Sequence, residues 1–367
     1  MRRIFTVLTS IALTFALSFS AAFASDDAFL KSQNYLKTIT LDSPDAVIAY
    51  EAAGMEADYK ADALLNNFKE TDYTTASYGD LAKSIIAISL LGENPTDFNK
   101  TNLVEILENR VQEDGTLTND VNGGCGATIW TLMALETVNS PKVKAVADKL
   151  STMAMDNGAY WYEYQGPNAD LDTTGWAMEA LSVAGRSTYE AAISKAYTFV
   201  QSKLNSTYGY YDNWGGNADT QSCVLEGLSV AGYTLDTNAY NYLLSYQNED
   251  GTFNALNYST NQLEPNAYAS VEGARALGVI NNGSFVLKAR NDYTKTTTPV
   301  VTEPETPTTP NTTTPAVKPE TTTTTTEPKK ETVKVVNTGD NTNVMAYVVA
   351  AIAAVGVIVL VIKSKKK

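Results

Sequence analysis

The chain reads DTTGWAMEALSVAG over residues 172–185 and DTQSCVLEGLSVAG over residues 219–232. Both stretches are apolar segments that end at a glycine, and four similar segments occur elsewhere. We call the residue at the end of each of the six segments its marker residue. The marker residues are Gly54, Gly92, Asn139, Gly185, Gly232 and Gly278, and they are separated by 38, 47, 46, 47 and 46 residues. Glycine and asparagine tolerate the left-handed conformation that ends a helix. A period of this length predicts stacked helical hairpins, because one hairpin cannot bury its apolar face alone.

Longer and more polar segments alternate with the apolar ones. In residues 97–111, Leu103, Ile106 and Leu107 recur at helical spacing, which is typical of a helix with one buried face. The apolar segments are poor in charge and rich in small residues, which indicates helices packed on both sides. Six segments of each kind predict an all-α fold, an α6/α6 toroid with an inner and an outer ring of helices, over residues 25–291. An open solenoid is the alternative.

The two ends of the chain have their own patterns. Residues 1–24 have charged Arg2 and Arg3, then an apolar run and a small-residue cleavage site, as in a secretory signal peptide. Residues 292–334 are rich in Thr, Pro, Glu and Lys, which predicts a disordered, extended stalk. Residues 335–367 contain an apolar run at 344–362 that is long enough for one transmembrane helix, and lysines follow it.

The sequence before that apolar run is Val335-Val336-Asn337-Thr338-Gly339. Together with the span and the basic tail, it resembles the Leu-Pro-x-Thr-Gly sorting signal of Gram-positive cell-wall proteins, with two valines in place of Leu and Pro. The resemblance implies that a sortase cleaves between Thr338 and Gly339 and joins Thr338 covalently to peptidoglycan. A plain membrane anchor is the alternative. Both predict an extracellular protein held at the cell surface.

Composition excludes several classes of function. The formal net charge of −14 argues against a nucleic-acid partner. The chain has no histidine, which excludes Ser-His-Asp and Cys-His catalysis and histidine metal ligands. We expect no metal site, and no cofactor is evident. Cys125 and Cys223 lie two repeats apart, so we expect two free or buried thiols rather than a disulfide.

The turns that follow two polar segments read QEDGTL at 112–117 and QNEDGTF at 247–253. With the Asp-Thr starts at Asp172 and Asp219, they resemble the Gln…Gly-x-Phe/Trp repeats and helix starts of terpenoid cyclase and prenyltransferase-type (squalene-cyclase-like) α/α toroids. The resemblance implies this fold for the whole of 25–291. Because that fold carries enzymes, carriers and binding modules, it implies no single activity. Cobalamin carriers of the intrinsic-factor type share the barrel, which makes a corrinoid one candidate ligand.

Candidate catalytic residues lie in Asp170-Leu171-Asp172-Thr173. This stretch resembles the Asp-x-Asp-Asp motif of class II terpenoid cyclases, and the resemblance implies Asp172 as a proton donor beside Asp170. A glycan-cleaving enzyme that uses Asp170, Asp172 and Asp219 is a further possibility. The alternative is that Asp172 and Asp219 cap their helices, since an aspartate at a helix start accepts from free N–H groups.

Candidate ligand-binding residues form two groups. Aromatic residues crowd two loops that join outer to inner helices, so we expect them at one mouth of the toroid, where they form a ligand site or plug the helix ends. They are Tyr160, Trp161, Tyr162, Tyr164, Tyr210, Tyr211 and Trp214, and Asp219 at the end of the second loop joins them as a candidate. Glu179, Glu226 and Glu272 each lie six residues before a marker glycine, and they either line a wet lumen or pair with neighbouring groups.

The sequence thus predicts a surface-displayed toroid module that binds a glycan, a corrinoid-like or other small molecule, or a partner protein. An enzyme of the terpenoid-cyclase-like or glycan-cleaving class, with carboxylates at the mouth, is the alternative.

Overall fold

The computed structural model describes residues 26–120, 123–162, 166–211 and 217–297. Within these ranges the fold is all-α, as predicted, with a single two-stranded hairpin. None of the helices in these ranges combines the length and the hydropathy that a bilayer span requires. The expected signal peptide, most of the expected stalk, the sorting signal with Thr338 and Gly339, and the apolar run at 344–362 all lie outside the described residues.

Helices of two kinds alternate along the chain. The even-numbered ones coincide with the apolar segments and are α2 (Pro44–Ala52), α4 (Tyr78–Leu90), α6 (Cys125–Thr137), α8 (Leu171–Gly185), α10 (Ala218–Val230) and α12 (Ala267–Asn282). The odd-numbered ones coincide with the polar segments and are α1 (Asp26–Leu36), α3 (Asp62–Glu70), α5 (Leu103–Glu108), α7 (Val143–Met153), α9 (Glu190–Ser202) and α11 (Thr237–Leu244). A 3-10 helix (Asp58–Ala61) precedes α3, the antiparallel strands β1 (Phe253–Asn257) and β2 (Gln262–Asn266) precede α12, and α13 (Phe285–Thr297) follows it.

The even-numbered helices contact one another in chain order, and α12 returns to contact α2. They are buried on nearly all sides, which explains their apolar composition. The return contact depends on Gly278, where a Cβ atom would overlap the backbone of Ala52 and Ala53. The odd-numbered helices from α1 to α11 pack outside them. For example, α7 contacts both α6 and α8, and α1 contacts both α12 and α2.

The turns after the odd-numbered helices connect neighbouring hairpins. Gly251 has a φ of 85°, and a Cβ there would overlap the backbone carbonyl of Lys31 on α1. The Gln247 side chain donates to the Ala28 carbonyl at 3.0 Å and to Ser32 Oγ at 2.9 Å. The last turn is therefore attached to the first helix. Two other turn glycines lie against the next odd-numbered helix in the same way, Gly115 and Gly158.

Most of the predicted helix ends are confirmed. Five marker residues have positive φ angles, and they are Gly54, Gly92, Asn139, Gly185 and Gly232. The sixth prediction is wrong, because α12 continues past Gly278 to Asn282 and Gly283 follows it with a φ of 88°. Gly278 lies within α12, where the absence of a side chain allows the backbones of α12 and α2 to come close together.

The capping residues differ from those expected. The Asp170 carboxylate accepts from the Thr173 N–H at 2.7 Å, and the Asn217 side chain accepts from the Thr220 N–H at 2.7 Å. The prediction that Asp172 and Asp219 cap α8 and α10 is therefore wrong. The side chain that caps a helix belongs to the N-cap residue, which lies just before the first helical residue and accepts from the N–H group three residues further along the chain. Asp172 and Asp219 each lie two residues after the N-cap residue of their helix.

Helix α13 had no counterpart in the sequence analysis. It contacts α2, α4 and α6, and its ion pairs lie near the carboxyl ends of α2 and α6. Lys288 Nζ is 2.7 Å from Glu51 Oε2, and Arg290 Nη1 is 2.8 Å from Glu136 Oε2. The Phe285 ring lies 6.4 Å from the Trp130 ring, between centroids. The boundary expected at residue 291 falls inside this helix.

Candidate functional site

Side chains at equal distances from the N-caps of the even-numbered helices meet one another. Six residues after the cap, Lys83 Nζ lies 4.5 Å from the ring centroid of Trp130, and the rings of Trp130 and Trp176 are 5.7 Å apart. At the same position, Cys223 Sγ is 3.8 Å from Glu272 Oε2. Neighbouring even-numbered helices therefore run parallel, and positions 2, 6 and 9 after each cap form one stripe at helical spacing.

These three positions define three layers. The first layer is Asp45, Gly79, Gly126, Asp172, Asp219 and Tyr268; the second is Ala49, Lys83, Trp130, Trp176, Cys223 and Glu272; the third is Ala52, Ile86, Met133, Glu179, Glu226 and Arg275.

The third layer contains a buried charge cluster. Arg275 is only 1% exposed, and its Nε lies 3.0 Å from Glu226 Oε2 while its Nη2 lies 3.8 Å from Glu272 Oε1. Ser284 Oγ donates to Glu179 Oε1 at 3.0 Å. Burial, together with the neighbouring Glu226, raises the pKa of Glu179 well above its ordinary value. Burial also raises the pKa of Glu272 to about 7.

The three glutamates therefore pair with neighbouring groups. Glu272 belongs to the second layer, and Arg275 takes the position that matches Glu179 and Glu226. The sequence alignment counted back from Gly278 as the end of α12. Because α12 continues to Asn282, that count matched Glu272 with Glu179 and Glu226, although Arg275 lies at their position. Among the described residues, no three Cys, Asp or Glu side chains are grouped as a metal site. Cys125 and Cys223 are buried free thiols, as expected, and burial raises the pKa of Cys125 to about 12.

A cavity of about 660 Å³ lies at the amino ends of α2, α4 and α6. The first-layer residues of α4 and α6, Gly79 and Gly126, line this cavity and have no side chains. A Cβ atom on Gly79 would meet nothing closer than Ser77 Oγ at 3.9 Å. Below these glycines, Lys83 and Trp130 of the second layer line the cavity.

The wall of the cavity is held by many hydrogen bonds. Arg110 donates to the carbonyls of Ala76 at 2.7 Å, Tyr73 at 2.6 Å and Thr74 at 2.9 Å. The Tyr78 hydroxyl donates to the Thr118 carbonyl at 2.6 Å. These bonds fix the segment that precedes α4 against the turn that follows α5, so the wall is in place before any ligand arrives.

An ion pair lies between the first and second layers on one side of the cavity. Lys83 Nζ is 2.9 Å from Asp45 Oδ1, and both side chains are largely buried. The ammonium also lies over the Trp130 ring, in a cation–π arrangement. Asp45, Gly79, Lys83, Arg110, Gly126 and Trp130 were not singled out as site residues in the sequence analysis. The sequence reveals them only when the six apolar helices are aligned at their N-cap residues, because the residues at matching positions can then be compared.

The predicted aromatic residues are dispersed. Tyr162 lines the cavity, and the Trp161 carbonyl accepts from the Cys125 N–H at 3.1 Å. Tyr160 and Tyr210 are fully buried, and their backbone N–H groups donate to Thr174 Oγ1 and Gln221 Oε1 at the starts of α8 and α10. They therefore plug the helix ends, as the alternative interpretation stated, and Phe253 does the same at α12.

Tyr211 is partly exposed, and its hydroxyl is 2.7 Å from that of Tyr242. Tyr164 and Trp214 lie outside the described residues.

The predicted carboxylates have separate roles. Asp170 is buried, and one of its oxygens accepts the capping bond of α8. Asp172 and Asp219 lie in the first layer, on the helices that follow those of the cavity. Burial raises the pKa of Asp219 to about 6, and its Oδ1 has no hydrogen-bond partner among the described residues.

No protein-family model and no curated protein matches the chain. Among solved structures, the crystal structure of a protein from Actinoplanes is similar at 12% identity and a TM-score of 0.48. That match covers 70% of this chain and 98% of the other.

Proposed function

We propose that this chain is an α6/α6-toroid module displayed at the outer surface of a Gram-positive bacterium, where it binds an extracellular ligand. The support for the toroid is the order of contacts, since each even-numbered helix packs on the next and α12 packs on α2. The support for surface display is the pattern at both ends of the sequence. Peptidoglycan is then a covalent partner through Thr338, or the chain has a plain membrane anchor.

The observation that carries the binding proposal is the cavity above Gly79 and Gly126. Its volume lies within the range of roughly 300–1,000 Å³ that is typical of small-molecule sites. It is lined by aromatic rings, an ion pair and hydroxyl and amide groups, and hydrogen bonds of Tyr78 and Arg110 hold its wall. A preorganised wall favours binding, because less freedom is lost when the ligand arrives.

A thermal-shift screen of the full-length protein tests this function. The screen contains neutral sugars, wall fragments, corrinoids, isoprenoids and divalent cations. A ligand at a hundred times its Kd stabilises by about 2.7 kcal/mol. We expect one class to raise the Tm of the wild type and to leave the Gly79→Phe variant unchanged, because that side chain fills the cavity. Equal shifts in both proteins would place binding elsewhere.

A protein partner is the second candidate, and the β1–β2 hairpin favours it. Leu256 and Leu263 face each other across the two strands, and both are substantially exposed. Tyr258 at the turn is 81% exposed. Exposed apolar side chains grouped in this way mark interaction surfaces. A photo-crosslinking residue at position 258 on living cells tests this candidate: one discrete protein adduct supports it, and no adduct contradicts it.

The enzyme alternative has less support in the geometry, because one oxygen of Asp170 is committed to the cap of α8. We expect Asp172→Asn to leave ligand binding in the cavity unchanged. Turnover of a bound compound that this substitution abolishes, with the Tm retained, would establish the enzyme instead.

A further inference from the structure

We infer that the cavity accepts an uncharged saccharide of one or two rings, an inference that rests on the proposed ligand-binding function. Three observations lead to this class of ligand: the state of the charged groups, the polar groups of the rim, and the aromatic rings at the wall.

The cationic side chains of the wall already have partners. Lys83 is paired with Asp45, and the Arg110 guanidinium donates to three backbone carbonyls. Asp80 accepts from Ser77 Oγ at 2.7 Å. An anionic ligand would need to draw Lys83 or Arg110 away from its partners or enter without a counter-charge, and each course is costly for a partly buried group. An uncharged ligand needs neither.

The rim is dense in hydroxyl and amide groups. Lining side chains of this kind are Thr74, Thr75, Ser77, Asn109, Thr118 and Asn119. The hydroxyls of Thr74 and Thr75 donate to Asp72, so each hydroxyl oxygen can still accept a hydrogen bond from a ligand. Amide side chains both donate and accept, which suits the hydroxyls of a sugar. An apolar ligand such as an isoprenoid would displace water from these groups without forming hydrogen bonds to them, which costs free energy.

Aromatic rings complete the wall. Tyr78 is held by its hydroxyl bond to the Thr118 carbonyl, and Tyr162 lines the cavity from the loop before α8. Both side chains are half-buried, and the Arg110 guanidinium lies over the Tyr78 ring, with Cζ 5.7 Å from the ring centroid. The C–H face of a pyranose packs on such a ring while its hydroxyls bond to the rim. A flat, wholly apolar molecule would use the rings but not the rim.

Isothermal calorimetry on the full-length protein tests the inference. The neutral probes are maltose, cellobiose and N,N′-diacetylchitobiose, the charged probes are glucosamine and glucose 1-phosphate, and the apolar probe is geraniol. We expect at least one neutral disaccharide to bind at least tenfold more tightly than any charged or apolar probe.

Two matched variants locate the binding. Gly79→Phe should abolish the heat of binding, because the ring fills the cavity. Thr198→Phe places the same ring at an exposed position of α9 and should bind like the wild type. Circular dichroism melts of both variants control for folding, and Gly79→Ala, which fills less of the cavity, should bind with intermediate affinity.

The outcomes separate the inference from the function on which it rests. A charged or apolar probe that binds best, and is lost in Gly79→Phe, overturns the saccharide inference and leaves the cavity as the site. A disaccharide that binds Gly79→Phe as tightly as the wild type overturns both. If no probe of any class binds, the saccharide inference is wrong, and the broader screen decides the function.

Discussion

Arg275 is a buried cation whose charge is balanced by Glu226 and Glu272. Removal of one member of a buried pair leaves an uncompensated charge, which typically costs about 3–5 kcal/mol. We predict that Arg275→Met lowers the free energy of unfolding by about this amount in urea denaturation at pH 7. Arg290→Met is the matched control, since that partly exposed pair with Glu136 should be worth less. Equal losses in both variants would contradict the role assigned to Arg275.

The buried carboxyls predict a dependence of stability on pH. The pKa of Glu272 rises to about 7 from an ordinary value of 4.5, and those of Glu179 and Asp219 are raised too. A raised pKa in the folded state means that the folded chain binds more protons. The stability that this supplies is complete below the unfolded pKa and is lost as pH rises through the folded one. We therefore expect a higher Tm at pH 5.5 than at pH 7.5.

Glu179→Gln isolates one part of this effect. Its amide oxygen can accept from Ser284 Oγ, as the Glu179 carboxyl does, but the amide cannot ionise. We expect this variant to show a smaller Tm difference between pH 5.5 and pH 7.5 than the wild type. Glu249→Gln, at an exposed position, should leave the difference unchanged. A variant that retains the full pH dependence would show that folding does not change the protonation of Glu179 in this range.

At the scale of a helix, two glycines in the even-numbered helices have opposite roles. Gly79 on α4 faces the cavity with open space at its Cβ position, whereas a Cβ on Gly175 of α8 would overlap the Cys223 carbonyl of α10. Ala is favoured over Gly in a helix by roughly 0.5–1 kcal/mol. We predict that Gly79→Ala raises the free energy of unfolding and that Gly175→Ala lowers it, both measured in urea. A loss of stability in Gly79→Ala would mean that the cavity is closed in solution.

The alternation of polar and apolar helices could be predicted from the sequence because it follows from hydrophobic periodicity. The details that failed depend on contacts between elements. The segment at 97–111 forms only the short α5, since Asn99 and Lys100 adopt positive φ angles before it. Helix α13 was not expected because it belongs to no repeat. The cavity was missed because it requires two glycines to be aligned on neighbouring helices.

In the whole folded unit, α13 lies near the carboxyl ends of the even-numbered helices, and the cavity lies at the amino ends of three of them. Phe285 packs on Trp130, and Trp130 also lines the cavity. A buried Phe replaced by Ala typically costs about 3–5 kcal/mol. We predict that Phe285→Ala loses stability in this range in urea denaturation while ligand affinity changes less than in Gly79→Phe. An affinity loss as large as that of Gly79→Phe would mean that α13 forms part of the site.

Hydrogen exchange measured by mass spectrometry tests the central claim, that the cavity is the ligand site, most directly. The full-length protein is compared with and without whichever probe of the screen raises its Tm. We expect slower exchange in peptides that cover residues 74–83, 109–120 and 126–130, where the walls and floor of the cavity lie. Protection confined to the hairpin at 253–266, or to α13, would contradict the account.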